Sequence, residues 1–171
     1  MGVPQMAAVA VALAGCITDL RSRRIPNVLT LGAAGVAFVY YLVTGGFTSL
    51  GWSAGGWAVG LLMFLPFFAL RGIGGGDVKL MAALGAWLGP AATVWVALYA
   101  MVAGGPLALI VAFGSGYVKQ ALTNVWGLLM FWRVAGLRPH PALTLEAPGG
   151  APRLPYALPI AAGLAVALWL R

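Results

Sequence analysis

This chain is short of charge. Only 8% of its 171 residues are charged, and three of those are acidic: Asp19, Asp77 and Glu146. Soluble domains carry roughly 25% charged residues, so a hydrated surface is excluded. A single cysteine, Cys16, excludes both an internal disulfide and a CxxC zinc site. The single histidine, His140, lies in a proline-rich loop and reads as solvated rather than catalytic. A net charge of +7 invites nucleic acid as a partner. No basic cluster with interleaved aromatics accompanies it, and no nucleic-acid partner is expected.

What the chain has in abundance is apolar sequence, 62% of the total. Apolar runs cover 3–18, 27–43, 52–70, 78–89, 91–113 and 154–170. The pattern predicts an all-α polytopic membrane protein, a single domain of six transmembrane helices in a lipid bilayer. Cys16 follows "LAG" as in a lipoprotein cleavage box. No positive charge precedes that run, so 3–18 reads as a retained first span. Alternating the breaks between runs puts Arg21, Arg23, Arg24, Arg71, Lys79, Lys119, Arg133, Arg138 and Arg153 on one side, and only Arg171 on the other. The positive-inside rule makes the crowded side cytoplasmic and both termini external. Trp52, Trp87, Trp95 and Trp169 then fall near outer span ends, as an aromatic belt would. The loop 114–153 is cytoplasmic, with an interfacial stretch ("QALTNVWGLLMFWRVAG") and then an extended, proline-rich one. Pro66 and Pro106 are expected to kink their spans.

The fourth run is odd. As a helix, 78–89 reaches only about 18 Å against a hydrocarbon core of roughly 30 Å. Directly before it comes "RGIGGGDVKL" (71–80), which puts Asp77 behind three glycines. Asp19 and Asp77 both fall at cytoplasmic ends of spans. Two carboxylates about 3 Å apart cannot both ionise, so such a pair holds one proton and offers an acid and a base together. That is the apparatus of an aspartic protease, which needs no metal and no cofactor. Gly74, Gly75 and Gly76 would let backbone approach a substrate strand and adopt positive φ. Plainer readings stand beside this one. Asp77 serves as an N-cap of its helix, Asp19 pairs with Arg23 or Arg24 to fix the end of the first, and Tyr156, which lines a site on one reading, anchors the interface on the other.

These residues resemble the type IV prepilin peptidases, membrane aspartyl proteases of the GxGD type. "DLRSRRIPN" (19–27) looks like the family's first aspartate motif, with Arg24, Pro26 and Asn27 in supporting positions. "GIGGGDVKLMAALGAWLG" (72–89) looks like the second, with Gly74, Gly75 and Gly76 before Asp77 and Lys79 after it. "LPYALPIAAG" (154–163) is similar to the start of the family's last span, Pro155 included. The resemblance implies that Asp19 and Asp77 are catalytic. It implies a substrate too: the short basic leader of a prepilin or pseudopilin, cut after a glycine at the cytoplasmic face of the bacterial inner membrane. Longer members carry a cysteine-bearing cytoplasmic region and are often N-methyltransferases. This chain resembles instead the short form serving tight-adherence (Flp) pili, for which methylation is not expected. The competing class is a non-enzymatic membrane carrier or scaffold using Asp19 and Asp77 as a proton relay.

Overall fold

The computed structural model describes residues 1–69, 72–114 and 156–170, with positions 123, 126, 127 and 130. Among these the chain is helical, with no strand. Helix α1 spans Val3–Ser22 and stops where Arg23 turns left-handed (φ 51°), its N–H donating to the Asp19 carbonyl at 2.7 Å. The helix therefore outruns its apolar stretch, and Asp19 stands inside the last turn. Hydropathy locates a span, whereas backbone hydrogen bonds locate a helix end. The Ser22 hydroxyl helps to close this one by donating to the carbonyls of Thr18 and Arg24.

Helix α2 covers Asn27–Ala69 and α3 covers Gly75–Gly114, each broken at one glycine of positive φ: Gly46 (67°) and Gly89 (74°). These breaks are reversals. A straight helix would set residues 41 and 52 about 16 Å apart, yet the rings of Tyr41 and Trp52 lie 5.4 Å apart. Across Gly89, a Cβ on Gly85 would fall 3.1 Å from the Thr93 hydroxyl. Only glycine fits at 89, because its φ is left-handed and a Cβ there would strike the Trp52 ring at 1.9 Å. Both reversals fall where the sequence breaks, in "TGGFTSLG" and at Gly89-Pro90. Helix α4, Ala157–Trp169, follows. Helices α1 and α2, and α3 as far as Leu107, are long and apolar enough to cross a membrane, and α4 is a shorter apolar helix.

The first half of α3 is the core. Its apolar stretch is 72% buried, against 28% in α1 and 17% in α2, so the other elements wrap it. Close approach rests on small residues, since burying apolar surface gains little between helices already in lipid. A Cβ on Gly56 would lie 2.1 Å from the Gly85 carbonyl, and one on Gly60 would lie 2.5 Å from that of Met81. Gly163 of α4 meets the second half of α3 at Val96 and Ala100 in the same way. Polar side chains close their own bonds: Ser53 to the Ala86 carbonyl, Thr93 to that of Gly89 and Tyr41 to that of Trp87. Trp87 corrects an expectation. Trp52, Trp95 and Trp169 are exposed, but Trp87 is only 5% exposed and packs beside Tyr40 instead of joining a belt.

Helix α3 begins at Gly75 rather than at 78, so Asp77 lies within its first turn. This lengthens the short segment before the reversal to about 21 Å. The expected loop 114–153, with Glu146 and His140, lies outside the described residues but for its first residue and four isolated positions, and Pro155 is also outside them.

Candidate active site

Register brings the two aspartates together. Gly15 of α1 packs on Leu80 of α3, its notional Cβ 3.0 Å from the leucine methyls. At the far end, Gly2 and Gln5 line one cavity of about 680 Å³ with Trp87 and Leu88, so α1 and the first half of α3 run antiparallel. One turn beyond Gly15 on α1 is Asp19, and one turn before Leu80 on α3 are Gly76 and Asp77. Both carboxyls lie at this level, and the Asp19 charge reaches Asp77.

Each is held differently. Asp77 reaches back to the N–H of Gly74 at 3.0 Å, the bond an acid makes from the third position of a helix. It is therefore not an N-cap: its carboxyl satisfies the residue that precedes the helix. This bond offsets the poor helix propensity of Gly75 and Gly76 and draws them into the first turn. Asp19 faces the backbone N–H of Ala157 and the Arg23 guanidinium. Its Oδ2 is buried and has no hydrogen-bond partner among the described residues. Asp19 is 8% exposed and Asp77 6%. A buried carboxylate oxygen left unpaired is costly, and such exceptions mark functional groups more than structural ones.

The backbone of the glycines corrects one expectation. None of Gly74, Gly75 and Gly76 has positive φ. Their smallness serves packing inside the protein: a Cβ on Gly75 would lie 3.3 Å from the Phe68 ring, and one on Gly76 3.1 Å from Ile25. That contact seats the segment after α1 on the start of α3. Lys79 reinforces it by donating to Asn27 Oδ1 at 2.9 Å. Pro26 opens α2, its carbonyl accepting from the N–H groups of Leu29 and Thr30. Arg24 is exposed, and every Lys and Arg among the described residues lies at this end of the bundle.

Sequence reasoning missed Cys16 and Phe64 as neighbours of the site, and weighed Tyr156 chiefly as an interface anchor. The Cys16 thiol donates to the Ala157 carbonyl at 3.1 Å, tying α1 to the start of α4. Phe64 and Tyr156 meet edge to face on the other side of the site. Of these, Cys16 was legible, since it precedes Asp19 by one helical turn and shares its face. Among the described residues no three of His, Cys, Asp and Glu gather to hold a metal ion.

The chain is similar to known proteins over part of its length. Two curated relatives are the prepilin leader peptidase/N-methyltransferases of Burkholderia pseudomallei strains 1026b and K96243. Each is 48% identical over 54 residues, which is 32% of this chain and only 17% of the relative. No solved structure matches the chain. The model of the type IV leader peptidase family matches residues 6–109, a stretch that holds both aspartates and both glycine reversals. By that match the chain belongs to the type IV leader peptidase family.

Proposed function

We propose that this protein is a membrane aspartyl endopeptidase that removes the short basic leader from prepilins or pseudopilins, with Asp19 and Asp77 as its catalytic pair. Cleavage follows a glycine, at the cytoplasmic face of a bacterial inner membrane that the chain crosses six times. The observation that carries the reading is the convergence of two buried carboxyls from α1 and α3, one with an oxygen left free. Family membership supplies the class of substrate.

In this mechanism the pair shares one proton. The ionised member takes a proton from water as it attacks the scissile carbonyl, and the protonated member donates to the carbonyl oxygen as it becomes tetrahedral. The roles belong to the pair and not to either residue alone. The Gly74 N–H fixes one carboxyl, and the Ala157 amide faces the other. The residues at the site argue for proteolysis only, so methyl transfer, the second activity in the relatives' name, is no part of the proposal.

Coexpression with a prepilin tests this. Asp19→Asn and Asp77→Asn should each abolish leader removal at normal membrane abundance, and the double variant should be no worse, since the residues act as a unit. Glu146→Gln should keep most activity. Substantial cleavage by either aspartate variant would overturn the reading.

A further inference from the structure

Tyr156 stands one residue before α4, and helix register locates its ring. Gly56 against Gly85 and Gly60 against Met81 set the second half of α2 antiparallel to the start of α3. One further turn brings Phe64 level with Asp77. The Tyr156 ring meets Phe64 edge-on, with centroids 6.0 Å apart and planes at 74°. On the other side, a Cβ placed on Gly104 would lie 2.5 Å from the Tyr156 oxygen, so the hydroxyl rests on the backbone of α3. Gly104 lies 15 residues past the reversal at Gly89 and Asp77 lies 12 before it, which puts the two within about one helical turn in depth.

The hydroxyl thus lies near the level of Asp77 and within reach of its charge. It makes no hydrogen bond to any described residue. A polar pair so placed, near but not bonded, leaves room for a bridging water. The next residue serves the other aspartate: the Ala157 N–H faces Asp19, and its carbonyl takes the Cys16 thiol. One dipeptide at the start of α4 therefore attends both carboxyls.

Resting on the peptidase reading, we propose that Tyr156 is a positioning residue whose hydroxyl holds the attacking water against Asp77. A phenol can both donate and accept, so it can fix the water's orientation without taking its proton. The aromatic ring is support, and the oxygen is the working part.

Tyr156→Phe separates the two, because it keeps the ring against Phe64 and removes only the oxygen. The assay uses full-length enzyme and a purified prepilin in phospholipid vesicles, with rates taken per folded enzyme by size-exclusion profile. Tyr156→Phe should lower kcat about tenfold or more with KM within about twofold, the mark of lost positioning rather than lost binding. Gly104→Ala, which displaces the hydroxyl while leaving Tyr156 in place, should show the same split. Wild-type kcat in Tyr156→Phe, or a raised KM alone, would overturn the proposal. Asp77→Asn measured alongside separates the two levels of inference: if it is dead while Tyr156→Phe is fully active, only the role of Tyr156 fails. If Asp77→Asn cleaves, the peptidase reading fails and this proposal with it.

Discussion

Lys79, two residues past one aspartate, donates its ammonium to the side chain of Asn27, which opens α2 after the other aspartate's segment. The two stretches that the sequence marks as motifs are thus joined by a side-chain bond, in addition to the seating of Gly76 on Ile25. The bond is exposed, so its worth is limited by water on both partners.

A double-mutant cycle measures that worth. Lys79→Met and Asn27→Leu should each lower leader cleavage by about fivefold, near 1 kcal/mol. The double variant should fall no further than the worse single one, because both remove the same bond. Additive losses would mean that Lys79 and Asn27 act separately.

The glycine contacts supply a second prediction with its own control. Gly85→Ala places a methyl 2.2 Å from the Gly56 carbonyl, and Gly56→Ala places one 2.1 Å from that of Gly85. Backbone cannot yield as a flexible side chain can, so each should cost about 1–3 kcal/mol or more. Thermal unfolding in detergent should register a clear drop. Gly35→Ala, with nothing within 4 Å of the new methyl, should be neutral or slightly stabilising through helix propensity.

Orientation forms a third. Reporter fusions at Gly46 and at the C-terminus should read as periplasmic, and those at Arg23 and Pro148 as cytoplasmic, because basic residues collect at the aspartate end. A cytoplasmic C-terminus would reverse the placement of α4 and remove the basis for a cytoplasmic cut.

Much of the candidate site was legible because acids are so scarce. With only Asp19, Asp77 and Glu146 to choose among, two at span ends identify themselves. The reversals were legible too, since glycine pairs and Gly-Pro interrupt otherwise continuous apolar sequence. Register was not. Which residue of α1 faces which of α3 depends on the contact of Gly15 with Leu80, and no periodicity within one helix encodes its neighbour's offset. For the same reason nothing singles out Phe64, and Tyr156 reads as an interface anchor as readily as a site residue. The triple glycine signals a need for little space, which the side chains of Phe68 and Ile25 make, but it did not signal the ordinary backbone conformation found there.

The backbone contacts of Gly56 and Gly60 have a mechanical consequence. Helices touching carbonyl to Cα have no side chains to give way, so the second half of α2 cannot slide along α3 without collision. Asp77 is therefore pinned at a constant height above the reversal at Gly89. On the peptidase reading this makes the bundle a ruler. A substrate whose own apolar helix is seated in lipid presents one peptide bond at that height, and the cut is selected by distance from the bilayer as well as by the residues beside it.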